Sequence, residues 1–214
     1  MENHEGMTQF NRRIALVCLF APLGLASCAK KEPSSQDTHS SAVVKESQGE
    51  DTVASMPTNM MAIPIESSAF MQGADIPEMY TCDGKDVSPH LSWGEGPSGT
   101  RAWALIMDDP DAPSKTWVHW VLWNLPDSTR TLSSGMPSGD VPGGGTQGKN
   151  DFGKQRYGGP CPPVGKPHRY FFRLYALDAP LDLPAGSTRD QVDRAMDGHI
   201  LGRGELMGMY ARRH

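Results

Sequence analysis

The sequence predicts a mainly β protein, an antiparallel β-sandwich carrying one or two short helices. Its apolar runs are short and rich in β-branched and aromatic residues. Glycine and proline, 23 and 18 of 214 residues, punctuate those runs along the whole chain. Helical periodicity occurs in one late segment only. Strands joined by long turn-rich connections, with a single helix near the end, fit a sandwich better than an alternating α/β fold.

The elements follow in chain order. "IPIESSAF" (63–70) reads as the first strand. "RAWALIM" (101–107) is apolar at both parities, which suits a central strand covered on both faces. "WVHWVLWNL" (117–125) and "RYFFRLYALD" (169–178) are aromatic and β-branched, and "ELMGMYARR" (205–213) reads as a last strand. The connection 133–154 is the longest, and a loop of that length is usually functional or mobile. The helix is predicted to start at Ser187, with Asp190 as a capping-box-like partner, and to stop at Gly202. Val192, Ala195, Met196 and Ile200 share its apolar face.

The N-terminal part has a different character. Residues 1–27 read as an export signal, with Arg12 and Arg13 before the apolar core "IALVCLFAPLGLA". That core is too short to span a bilayer comfortably. It closes on "LASC", which resembles a bacterial lipobox, so Cys28 is the expected lipidation site. Met7 offers a tidier start than Met1. Residues 28–61 contain no aromatic side chain and little apolar surface, which suits a disordered tether. Such a tether holds the following domain on the order of 30 Å from the bilayer. These features predict an exported, membrane-anchored lipoprotein, on the outer membrane facing the periplasm in a Gram-negative cell. Residues 62–214 then have the size of one domain. The net charge of −5 argues against nucleic acid as the main partner.

Polar chemistry gathers at three junctions between loops and strands: "YTCDGKDVSPHLSW" (80–93), "MDDPDAPSKTWVHW" (107–120) and "YGGPCPPVGKPHRYFF" (157–172). Pro110 and Pro113 hold Asp109 and Asp111 at set directions. Asp108 reads as ordinary turn chemistry. His119 lies inside an aromatic strand, where a hydrogen-bonded core histidine is the commoner outcome. His168 lies at the start of a strand. If both imidazoles approach Asp109, they can donate to an anion while the carboxylate orients one of them. A Cys161–His119–Asp109 device lacks an oxyanion hole, and a zinc site on His119, His168 and Asp109 matches no metal-motif spacing. No nucleophile elbow or P-loop is present, so a non-enzymatic role without a cofactor is expected.

Together, "CDGKDVSPHLSW", "DDPDAPSKTWVHWVLWNLP" and "GGPCPPVGKPHRYFFRLYALD" resemble the signature blocks of the phosphatidylethanolamine-binding protein family, in particular its bacterial, Raf-kinase-inhibitor-like branch. The resemblance covers about residues 63–213. It implies a sandwich of two antiparallel sheets with a small anion pocket at one end, lined by Asp109, Pro113, Trp117, His119, Pro163, His168 and Tyr170. Arg169 is expected to hold loop structure. The implied ligands are phosphate, phosphoethanolamine or a similar anion. The alternative is an interaction module inhibiting a protease or kinase-like partner. Eukaryotic members carry a C-terminal helix near the pocket, whereas this sequence ends at "YARRH", which implies a more open site.

The resemblance also places Cys82 and Cys161 in loops around that pocket. With Cys18 removed and Cys28 lipidated, they are the two remaining thiols. An oxidising compartment favours a bond between them, and two free, partly buried thiols are the alternative.

Overall fold

The computed structural model describes residues 60–213. The expected signal, Cys28, nearly all of the tether and the question of Met1 or Met7 lie outside those residues. Among the described residues no helix is long and apolar enough to cross a membrane. The elements run β1 (Met61–Ala62), β2 (Ile65–Glu66), a 3₁₀ turn (Glu78–Tyr80), β3 (Leu91–Trp93), β4 (Ala102–Asp109), β5 (Trp117–Pro126), β6 (Thr131–Leu132), β7 (Thr146–Gln147), β8 (His168–Leu177), α1 (Arg189–Met196) and β9 (Ile200–Tyr210). One sheet has the order β1-β9-β8-β4-β5-β7, and a smaller one has the order β2-β3-β6.

β4 is central and buried along its whole length, as its uninterrupted apolar run requires. Its alternate residues feed two cores. Trp103, Leu105 and Met107 pack toward the small sheet with Leu91, Trp93, Trp120, Tyr170 and Phe172. Ala104 and Ile106 pack on the other side with Val118, Val121, Trp123, Val192 and Met196 of α1. The molecule therefore has three layers: small sheet, large sheet and helix.

Several details correct the sequence reading. The large sheet is mixed rather than antiparallel, because β1 pairs with β9 in parallel. The predicted first strand, 63–70, is interrupted. The Ile63 N–H still donates to the Arg203 carbonyl in the large sheet. Pro64 has no N–H to continue that ladder, and the chain crosses to pair β2 with β3. The last strand starts at Ile200, earlier than expected, and includes Gly202, a glycine that reads as a helix stop. A Cβ at Gly204 would lie 2.4 Å from the Ile63 carbonyl oxygen, so close passage of the N-terminal segment requires glycine there.

The helix is capped one residue later than predicted. The Thr188 N–H donates to Gln191 Oε1 at 2.8 Å, closing a capping box. The Ser187 hydroxyl donates to the Pro184 carbonyl instead. Gly198, at φ +79°, lies just past the helix end. Ile200 lies on β9 rather than on the helix, yet packs against the same cluster. The long connection 133–154 is pinned by buried Gln147. Its Nε2 donates to the Pro137 and Gly139 carbonyls, and its Oε1 accepts from Trp120 Nε1.

Asp108 is no turn residue. It is 1% exposed. Its carboxylate accepts from Arg173 Nε at 3.1 Å and Arg189 Nη1 at 2.6 Å, tying β4 to β8 and to α1. Arg173 also pairs with Glu205 of β9, and Arg189 with Asp193. Removing one partner of a buried ion pair strands the others. Asp108→Ala should therefore cost about 2–4 kcal/mol in urea unfolding, with the helix face loosening first in hydrogen exchange. A loss below about 0.5 kcal/mol, typical of an ordinary surface position, would show that the two arginines rehydrate freely.

Candidate functional site

Two features of strands β4 and β5 build the site. The first is strand parity. Asp109, next to Asp108, points to the opposite face and reaches the cleft. The second is a β-bulge. Met107 pairs with Trp120, but the next residue, Asp108, pairs with Val118. His119 is the extra residue, so Val118 can serve the helix-side core while Trp120 serves the other. The bulge turns His119 toward Tyr170 and Phe152, whose rings meet it edge-on at 5.2 and 5.4 Å.

The cleft has a volume of about 280 Å³. Asp109, Pro113, Trp117, His119, Pro163 and His168 all line it, together with Ala112, Ser114, Phe152, Cys161 and Pro162. Tyr170 does not line it. That ring is fully buried behind His119, and its hydroxyl lies beside the Asp109 carboxylate without a hydrogen bond of good geometry. Burial, and after it the Asp109 charge, raises the Tyr170 phenol well above its ordinary range.

Asp109 is 3% exposed. Its Oδ2 accepts from His168 Nδ1 at 2.8 Å, and its Oδ1 accepts the Asp111 N–H at 2.9 Å. His119 is 2% exposed, with Nδ1 2.7 Å from the Gly158 carbonyl oxygen. Burial holds its pKa below the ordinary histidine value, against the Gly158 carbonyl and the Asp109 charge, which act the other way. His119 is thus both the hydrogen-bonded core histidine and a cleft residue. The sequence reading expected two donating imidazoles. One of them has its donor turned away from the cleft.

The walls are held by short-range constraints. Arg169 forms a two-point pair with Asp111, Nε to Oδ2 at 2.9 Å and Nη2 to Oδ1 at 2.6 Å, and keeps out of the cleft. The Asp111 carboxyl is pulled down to about 2, chiefly by hydrogen bonds from Arg169. In "YGGPC", a Cβ on Gly158 would meet the Phe152 ring at 2.7 Å, and one on Gly159 would meet the Tyr80 carbonyl oxygen at 2.4 Å. Both glycines let neighbouring loops close over the wall. The Gly159 N–H donates to Asp86 Oδ1 at 2.6 Å, and the Cys82 N–H to the Pro160 carbonyl at 3.1 Å. Cys82 and Cys161 are disulfide-bonded, with Cα atoms 5.4 Å apart. Cys161 is thereby unavailable as a nucleophile. Among the described residues no group of three His, Cys, Asp or Glu side chains is placed to hold a metal ion.

Phe152 was missed by sequence reasoning. It closes the cleft from the long 133–154 connection, where it is the sole aromatic among glycines and polar residues. Its ring also meets Trp117 edge-on at 5.6 Å. That isolation was the available signal.

The sequence profile of the family named phosphatidylethanolamine-binding protein matches residues 66–211. The chain belongs to the phosphatidylethanolamine-binding protein family. It is 50% identical over 149 residues to a UPF0098 protein of Methanothermobacter thermautotrophicus, covering 69% of this chain and 98% of the relative. A UPF0098 protein of Aquifex aeolicus is 49% identical over 148 residues, covering 68% and 86%. Among solved structures, one from Chlamydia trachomatis described as a homolog of phosphatidylethanolamine-binding protein aligns with TM-score 0.65 and 38% identity. That alignment spans 71% of this chain and 98% of the other. Escherichia coli YbcL, described as a new member of the mammalian family, aligns with TM-score 0.65 and 30% identity over 71% and 99%.

The disulfide ties the Gly-Pro wall to the "CDG" loop across 79 positions of sequence. On the chain-entropy model, closing a loop of this size stabilises by about 4 kcal/mol. The Cys82→Ser, Cys161→Ser double variant should lose stability of that order or somewhat less in denaturant unfolding. Denatured, unreduced protein should show no alkylation at either position by mass spectrometry. Two modified thiols there would contradict the bond.

Proposed function

We propose that this protein is a non-enzymatic binder of a small phosphate-bearing anion or phospholipid headgroup. Membership of a family named for phosphatidylethanolamine binding supports a ligand of this class. The observation that carries the reading is the preformed cleft itself. Asp109, His119 and His168 converge there between walls of proline and aromatic residues. Each wall is fixed by a disulfide, a buried hydrogen bond or an ion pair, so little ordering remains to be done on binding. The lining is mostly apolar with a few convergent polar groups, as in small-molecule sites generally. The protein-interaction alternative draws on no feature of this cleft.

We further propose that the domain works at a membrane, held by lipid on Cys28 through a tether of residues 28–61. The lipobox-like "LASC" and the apolar-poor stretch after it support this. A headgroup binder on a tether samples the adjacent lipid surface at high effective concentration.

Millimolar phosphate or phosphoethanolamine should raise the melting temperature, as any ligand that binds only the folded state does. His119→Ala should weaken binding by about 1–3 kcal/mol, the scale of one hydrogen bond to a charged partner. Trp117→Ala, which leaves the Gly158 bond untouched, should weaken it in the same direction. No thermal shift with either ligand on the folded protein would exclude the anion reading and leave the interaction module. Separately, Cys28→Ala should move the protein from the membrane fraction to the soluble fraction. Unchanged fractionation would remove the lipid anchor.

A further inference from the structure

We propose that the rim of the cleft is a membrane-docking surface, on which exposed apolar side chains and two unpaired lysines seat the domain on an anionic lipid bilayer with the cleft open to the headgroups. This rests on the headgroup reading above and specifies how the site meets its ligand. A headgroup that is still part of a bilayer reaches the cleft only if the mouth faces that bilayer.

The rim follows from the lining residues. Pro163 and His168 both line the cleft, so the residues between them border it. All four, Val164 to Pro167, are exposed. Their loop is held from behind by backbone contacts. Val164 bridges to Arg212, and the Gly165 N–H donates to the Arg212 carbonyl at 3.4 Å. Prolines at 162, 163 and 167 stiffen the same loop. The Val164 side chain stays 61% exposed. On the facing side Phe152 lines the cleft and is 40% exposed. Apolar groups held out by a rigid frame gain little for the fold and gain on transfer to an apolar phase.

Charge gives the rim its partner. The chain carries −5 overall, which disfavours an anionic surface in most orientations. The stretch 149–169 is an exception, with five lysines and arginines against Asp151 alone. Arg156 and Arg169 are already paired with Asp86 and Asp111, and Asp151 with Lys115. The acids on these loops therefore have cationic partners. Lys154 and Lys166 are exposed and make no ion pair among the described residues. Lys166 lies on the 164–167 loop. Lys154 borders a smaller cavity that shares Phe152 and Cys161 with the cleft. One free ammonium group thus accompanies each exposed apolar side chain. Lysine beside aromatic and aliphatic groups suits a bilayer interface, where the ammonium meets lipid phosphate and the apolar group sits beneath it.

Amine footprinting of the full chain, as processed by the cell, tests this. The protein is placed in phosphatidylethanolamine–phosphatidylglycerol vesicles, or in phosphatidylethanolamine–phosphatidylcholine vesicles, which keep the headgroup and lose the charge. Acetylation of Lys154 and Lys166 is then followed by mass spectrometry. Both should react on the order of tenfold more slowly on the anionic vesicles. The protection should vanish in about 1 M salt. A lysine beside an anionic surface contributes about a fivefold factor, so Lys154→Gln should lower the protection of Lys166 about fivefold. Val164→Asp, which puts a carboxylate where an apolar group would enter, should lower the protection of both lysines. None of these side chains lines the cleft, so phosphoethanolamine should raise the melting temperature of both variants as it does that of the parent. Equal acetylation on the two kinds of vesicle, or full protection of Lys166 in Lys154→Gln, would overturn the inference, and a retained phosphoethanolamine shift would then leave the headgroup reading standing. Protection on anionic vesicles without any shift in the parent would strike the headgroup reading and keep the docking surface. Neither protection nor shift would overturn both.

Discussion

The molecule depends on where the central strand sends two adjacent carboxylates. Neighbouring residues on a strand face opposite sides, so one strand end delivers Asp108 to the helix layer and Asp109 to the cleft. Both are nearly fully buried. A buried carboxylate needs partners, and the fold supplies them in different ways. Asp108 receives two arginines and becomes a structural node joining β4, β8 and α1. Asp109 receives a histidine and a backbone N–H, both hydrogen-bond donors rather than obligate cations. The first arrangement neutralises its charge permanently. The second leaves a carboxylate whose surroundings a ligand can still alter.

The cleft is open because its walls are held by contacts that do not involve a ligand. The Arg169–Asp111 pair fixes the turn after β4. Gly158 and Gly159 let two loops approach to distances that no side chain would allow. The disulfide and the Cys82 N–H bond to Pro160 join the same two loops again. Proline contributes by removing backbone donors and fixing φ, so the wall has few alternative conformations to collapse into. Rigidity of this kind favours binding because the ordering cost is met during folding rather than at association.

Much of this was legible in sequence, and the exceptions have physical causes. Strands 102–109 and 117–126 were legible because burial on two faces leaves a nearly continuous apolar run, and 168–177 because buried aromatic and aliphatic residues alternate with partly exposed ones. The two- and three-residue strands of the small sheet were not, since they are too short to show a period. β9 was cut short because glycines that permit close packing look the same in sequence as glycines that break an element. The helix cap was misplaced by one residue, as Ser187 and Thr188 are chemically equivalent candidates until the Gln191 side chain chooses between them. Six of the seven cleft residues expected from family resemblance do line one cavity, and Tyr170 supports it from behind. Asp108 was misread because "DDP" is equally good turn chemistry and a strand end. Parity settles it only once the strand is known to run through Asp109.

The bulge at His119 shows why the cleft's character could not be read from residue types alone. Two histidines and an aspartate suggest a donor-rich site for anions. Whether a histidine donates or accepts depends on which nitrogen is already engaged, and that depends on backbone geometry. One extra residue in β5 sets the imidazole against the Gly158 carbonyl. Gly158 can lie there because it has no Cβ to strike Phe152. A strand irregularity and a glycine thus fix which imidazole nitrogen is engaged. On a regular β5, with Val118 and Trp120 sharing one face, His119 would take the opposite parity, and the cleft would lose a buried polar group.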